Sequence, residues 1–126
     1  MWATFFYRGS VALSIVPGLF GLLTVTKPES MLKLIEFPIP TEPQSRKLAC
    51  ALARLHGVRN ITLCSLFINN ALTGDKNLTA AGLAGVVFMM LGDGFVSRSL
   101  IGRGEWLHWG YIPVFGAFIA GLLYSE

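Results

Sequence analysis

Five polar side chains, His56, Arg59, Asn60, Asp93 and His108, stand among long apolar runs and are the groups that could do chemistry. His56, Arg59, Asn60 and Leu63 are spaced i, i+3, i+4, i+7, so a helix presents them on one face. Arg54 points away from that face. Arg59 lies sixteen residues before Asp75 in the sequence Gly74-Asp75-Lys76-Asn77, and Asp93 lies eighteen after it. At the α-helical rise these separations are depths of about 24 and 27 Å from one turn. An antiparallel hairpin therefore sets Arg59 and Asp93 at nearly the same level. Ser97 follows Asp93 one helical turn later, and His108, five residues past Arg103, reaches about one turn below Asp93.

General acid/base catalysis is the chemistry this set offers. Asp93 is the candidate base, Arg59 would orient and stabilise it, Asn60 would hold a nucleophile, and His56 or His108 would donate a proton. A charge at the centre of a bilayer costs at least ~2.5–3.5 kcal/mol on insertion scales, so such a pair needs a reason. An Arg59–Asp93 pair that only fixes helix register is one reason. A functional site is the other, and five converging polar groups exceed what a register pin requires. For each histidine, packing and catalysis both stay open. Tyr7, Arg8, Met89, Ser97 and Trp109 are the candidate substrate-binding side chains. Two histidines and one aspartate without a helical His-x-x-x-His pair make a poor metal set, so neither a metal nor another cofactor is expected.

The elements that must position these groups are membrane helices. The chain has 126 residues, 53% of them hydrophobic and 13% charged, with a net charge of +3. Its mean hydropathy is +0.60. A single soluble domain of this length has too little interior for so much apolar surface. No basic cluster with interleaved aromatics marks a nucleic-acid partner. Cys50 and Cys64 fall in one apolar helical run and suit packing rather than a disulfide.

The pattern predicts an all-α, four-helix membrane bundle in one domain over residues 1–126. The first span covers about Ala3 to Val25, kinked at Pro17 and read as retained rather than cleaved. Arg8 near its start can snorkel toward headgroups. Thr26 is expected to cap a short helix from Pro28, and Met31 to Phe37 reads as an amphipathic, interfacial piece ended by Pro38, Pro40 and Pro43. The second span runs from about Pro43 to Leu72, and Asn77 is the expected cap of the third, Leu78 to Ile101. Gly82, Gly85, Gly92 and Gly94 give that third span a thin surface for close helix approach and for a homodimer. Trp106 to Tyr124 forms the fourth, with Trp106, Trp109 and Tyr111 at the lipid interface.

Lys27, Lys33, Arg46, Lys47, Arg98 and Arg103 gather on one side, which the positive-inside rule places in the cytoplasm. Both termini then face the lumen or exterior, with the endoplasmic reticulum as the expected membrane. The sequon Asn77-Leu78-Thr79 lies on that outer side, close to the membrane.

Gly57-Val58-Arg59-Asn60 followed by an apolar helix resembles the G-x-R-[DN] signature of a family of small four-helix membrane proteins of unknown function. The likeness continues through Leu91-Gly92-Asp93-Gly94 and His108, and covers most of the chain from Leu48 onward. Fungal members of such families are often encoded beside polyketide synthases. By analogy with small hydrophobic proteins of polyene-polyether pathways, the resemblance implies an epoxide hydrolase or cyclase acting on a lipophilic, polyketide-like epoxide. Limonene-type epoxide hydrolases use carboxylates, an arginine and an asparagine for this reaction. Here the spans hold one carboxylate, Asp93; Glu105 sits in a turn and is a weak substitute. The competing reading is a non-enzymatic membrane protein, an assembly subunit or lipid-binding factor, with a structural Arg59–Asp93 pair. A proton-coupled carrier is disfavoured, since the chain has no internal repeat to alternate access.

Overall fold

The computed structural model describes residues 2–124, and every regular element among them is helical. In chain order these are α1 (Trp2–Thr26), α2 (Pro28–Leu34), α3 (Pro43–Leu72), α4 (Lys76–Ile101), α5 (Trp106–Trp109) and α6 (Ile112–Tyr124). Three stretches are long and apolar enough to cross a membrane: α1, α4, and Trp106–Tyr124, with mean hydropathies of 1.7, 1.6 and 1.4. They mark an integral membrane protein. At 30 residues α3 is the longest helix, but His56, Arg59, Asn60, Asn69 and Asn70 dilute its apolar surface. It does not join the other three by that measure.

Local chemistry sets the boundaries, with three departures from the sequence-based expectation. Asp75, not Asn77, caps α4: its Oδ1 accepts from the N–H groups of Asn77 and Leu78 at 2.8 and 3.1 Å. Thr26 caps nothing, because its hydroxyl turns back to the carbonyls of Leu22 and Leu23. The last apolar stretch is two helices, broken at Gly110-Tyr111. Pro113 explains the break, since it has no N–H and its ring would clash with the carbonyl four residues earlier. By contrast α1 continues as helix through Pro17. The Glu42 carboxylate opens α3 by accepting from the N–H groups of Gln44 and Ser45 at 2.8 and 2.6 Å, with Pro43 in the first turn.

Helix α1 packs chiefly on α3, and α4 chiefly on α6. The buried residues of α1 are all small: Ser10, Ser14, Gly21 and Thr24. The hydroxyls of Ser10, Ser14 and Thr24 donate to the carbonyls of Phe6, Val11 and Phe20, so they pack without stranding a donor. At the crossing, Gly21 meets Gly57 backbone to backbone. A Cβ on Gly57 would lie 2.7 Å from the Gly21 carbonyl oxygen, and one on Gly21 would lie 2.6 Å from that of Gly57. The small-residue contact expected of α4 is thus made by α1 and α3 instead. On α4, Gly85 and Gly92 face open space, Gly82 lies against the Phe67 ring, and Gly94 lies under the Trp109 indole.

At the end of the bundle away from the basic loops, Phe67, Ala80, Leu83, Val86, Phe115 and Leu122 form the apolar core. Tyr7 and Met89 pack against it. The crossing yields a direct test. Gly57→Ala should lower thermal stability in detergent by about 1–3 kcal/mol, because neither backbone can retreat. Gly85→Ala, with nothing near its Cβ, should be neutral or mildly stabilising; equal losses for the two would refute the contact.

Candidate functional site

The middle of α3 meets the C-terminal part of α4, and the short α5 packs on α4. There Arg59 Nη2 lies 2.7 Å from Asp93 Oδ2, as the depth arithmetic for an antiparallel hairpin requires. The same Nη2 lies 2.9 Å from His56 Nδ1. Arginine can only donate, so Nδ1 accepts and the His56 proton sits on Nε2. The Asn60 amide is 3.3 Å from that Nε2. The atom set there is Nδ2, with Oδ1 left unpartnered; since only the oxygen can accept the Nε2–H, the network calls for the amide turned over. His56 is therefore committed on both ring nitrogens. Its tautomer follows from Arg59 and Asn60, its neighbours one helical turn away.

Asp93, His56, His108 and Ser97 line one cavity of about 310 Å³. The rest of its wall is almost wholly apolar: Met31, Leu32, Ile35, Phe37 and Pro38 from α2 and the connector, Ala49, Leu52 and Ala53 from α3, Val96 and Leu100 from α4. Thr24 of α1 adds its side chain. Arg59 and Asn60 are not in the lining. They hold Asp93 and His56 from behind and so position groups rather than touch a ligand.

Four buried side-chain atoms among the described residues lack a partner, Asn60 Oδ1, Ser97 Oγ, Glu105 Oε2 and His108 Nε2, and two of them belong to residues of the cavity wall. Ser97 Oγ and His108 Nε2 are buried without a hydrogen bond, and Ser97 is fully buried. Such atoms are costly unless something in the cavity completes them. Of the two histidines that sequence spacing left open, both face the cavity, but His108 keeps its Nε2 uncommitted.

Of the candidate substrate-binding residues, Ser97 alone lines the cavity. Tyr7 and Met89 belong to the apolar core at the other end. Arg8 is exposed on α1. Trp109 donates its indole N–H to the Leu91 carbonyl at 3.2 Å and packs edge-on against Phe95 and Trp106. It braces α5 on α4, and that bracing brings His108 to the cavity. Arg54, the residue off the polar face, donates to the Val25 carbonyl at 3.3 Å, satisfying a carbonyl at the end of α1. Among the described residues, no group of three or more His, Cys, Asp or Glu could hold a metal ion.

Sequence reasoning missed the wall built by α2 and its connector. The amphipathic piece expected there turns its buried face onto the cavity: Met31 and Leu32 of α2 are nearly fully buried, while Lys33 and Leu34 are exposed. The helix ends in a Schellman motif: Phe37 N–H reaches the Leu32 carbonyl at 2.8 Å and Glu36 N–H that of Lys33 at 3.1 Å. Glu36 takes the left-handed position, φ 61°, usually filled by glycine. Its carboxylate meets Arg103 at 2.8 Å. At the other end Glu29 takes a two-pronged bond from Arg46, at 2.8 and 2.6 Å. This strap is thus tied to α3 and to the turn after α4. The signal was present in Glu29 and Glu36, acidic residues facing a basic set.

Residues 14–123 match the domain of unknown function DUF4267. No curated protein and no solved structure matches the chain.

Two measurements test this geometry. In a cycle of Arg59→Leu and Asp93→Leu, each single change should destabilise, and the double change should recover about 0.5–3 kcal/mol relative to their sum; strict additivity would mean the pair is not coupled. The second concerns the strap. The hydrogen bond from Arg46 holds the Glu29 carboxyl below its ordinary value of 4.5. A lowered carboxylate stabilises above its unfolded value and stops doing so as the pH falls through the lowered one. Hydrogen-exchange protection of Ile35, Glu36 and Phe37 should therefore fall below pH 4.5. In Glu29→Gln the loss should already be present at neutral pH.

Proposed function

The chain belongs to the DUF4267 family, and we propose that it is a membrane-embedded enzyme that opens an epoxide on a lipophilic, polyketide-like substrate by general acid/base catalysis. One observation carries this reading. Asp93, His108, His56 and Ser97 share the wall of one apolar cavity, while Arg59 grips Asp93 from outside it. Asp93 takes the proton from water, or from a hydroxyl of the substrate, as that oxygen attacks an epoxide carbon. The carbon–oxygen bond breaks, and His108 Nε2–H donates a hydrogen bond to the departing oxygen. The proton on Asp93 then passes to that oxygen and restores the carboxylate. One carboxylate suffices for this balance, which meets the departure from the limonene-type enzymes.

The proposal extends to the membrane. We read α3 as a fourth span, because it lies packed between α1 and α4 and its Arg59 finds its partner, Asp93, on α4. The basic loops then face the cytoplasm and the termini the lumen of the endoplasmic reticulum. The open faces of Gly85 and Gly92 suit a homodimer contact.

A second reading, a non-enzymatic lipid-binding factor, draws on the same pair, since Arg59–Asp93 by itself would fix α3 against α4. Turnover separates the two. Purified protein in nanodiscs, offered a panel of long-chain terminal and internal epoxides in ¹⁸O-water, should yield diols carrying one labelled oxygen. Asp93→Asn should lower that rate by about 10²–10⁴-fold, and His108→Phe by a similar factor, with both variants still eluting as folded protein. Wild-type turnover in Asp93→Asn, or no epoxide consumed anywhere in the panel, would overturn the reaction.

A further inference from the structure

The cavity has a polar pole and an apolar body, and its charge sorts ligands. Among the described residues, Asp93 is the only Asp, Glu, Lys or Arg side chain in its wall. The cation that balances Asp93 stands outside that wall, with Arg59 spending Nη2 on Asp93 and His56 together. His56, which accepts from Arg59, is neutral. An anionic headgroup entering here would meet the Asp93 carboxylate and find no lysine or arginine facing it, an arrangement that costs both repulsion and desolvation. A neutral oxygen meets the opposite situation. Ser97 Oγ and His108 Nε2 are both buried and unpartnered, and together they can donate to and accept from a hydroxyl, carbonyl or ether oxygen.

The body is set by the wall and the volume. Met31, Leu32, Ile35, Phe37, Leu52 and Leu100 offer carbon surface and no polar atoms of their own side chains. At the packing density of organic matter, about 310 Å³ holds about fifteen to twenty non-hydrogen atoms.

We propose that this cavity binds an uncharged lipophile of about that size, its single oxygen function against Ser97 and His108, and discriminates against fatty acids and phosphate-bearing lipids. The proposal rests on reading the cavity as a substrate site, but not on the epoxide chemistry. A fatty alcohol, ester or epoxide fits the pole; the corresponding carboxylate does not. Selection comes from the absence of a facing cation as much as from the two open hydrogen-bonding atoms.

Native mass spectrometry of the wild-type protein released from a nonionic detergent reads this directly. The probes are tetradecanol, methyl tetradecanoate, tetradecene oxide and tetradecanoate at neutral pH. The first three should each bind as one copy per chain, and tetradecanoate about tenfold or more weaker, as one unfavourable charge contact implies. Ser97→Ala should weaken tetradecanol about two- to tenfold through the lost hydrogen bond, and Asp93→Asn should raise tetradecanoate toward tetradecanol. Tetradecanoate binding as well as tetradecanol in the wild type, or no probe binding at all, would overturn the proposal, and neither result needs a variant to fold. Neutral-selective binding without epoxide turnover would sink the reaction and leave this inference standing. Epoxide turnover with indifferent binding of acid and alcohol would do the reverse.

Discussion

The Arg59–Asp93 pair is the constraint on which the rest of the site depends. Arg59 and Asp93 are two charges among apolar helices, their side chains 41% and 18% exposed; pairing offsets the cost of each, so α3 and α4 favour the register that holds Nη2 at 2.7 Å from the carboxylate. The same guanidinium nitrogen fixes His56, and His56 in turn orients Asn60. One long side chain thus determines the ionic partner of Asp93, a histidine tautomer and an amide orientation. None of these groups could be set independently of the others.

Two further devices make that register affordable to the fold. On one side the Gly21–Gly57 contact lets α1 lie directly on α3, beside His56 and two residues before Arg59. A larger residue at either glycine would push the helices apart near the polar face. On the other side the strap from Pro28 to Glu42 closes over the apolar end of the cavity. It is held by Glu29–Arg46 and Glu36–Arg103, pairs that lie at the exposed basic end and contribute little each. Their use is geometric: they keep Met31, Leu32 and Phe37 against a cavity whose pole is polar. A reactive or binding pole of this kind needs water kept away from most of its surface, and the strap supplies that cover without a further domain.

The polar residues of α3 therefore have divided roles. Arg59 and Asn60 sit behind the wall, His56 forms part of it, and Arg54 closes the end of α1. Four residues within two helical turns act in three places, because a helix turns its side chains through a full circle every 3.6 residues. Trp109 likewise turned out to be a brace for α5, anchored on the Leu91 carbonyl and seated over Gly94.

The sequence by itself determined the helical class, the membrane character, the face shared by His56, Arg59 and Asn60, and the matched depth of Arg59 and Asp93. Each of these follows from local periodicity, hydropathy or a fixed rise per residue, quantities that a linear string contains. The caps of α2 and α4 and the break before Pro113 were misread or passed over, although Asp75 and Pro113 carried the signal. Only the tertiary structure decided that α2 folds inward as a cavity wall, that glycines of α1 and α3 rather than α4 make the close crossing, and that Tyr7, Met89, Arg8 and Trp109 lie away from the site. Hydropathy does not tell a helix face turned to lipid from one turned to another helix, because both are apolar. That choice depends on which surfaces fit at contact distance, and it exists only once all the helices are in place.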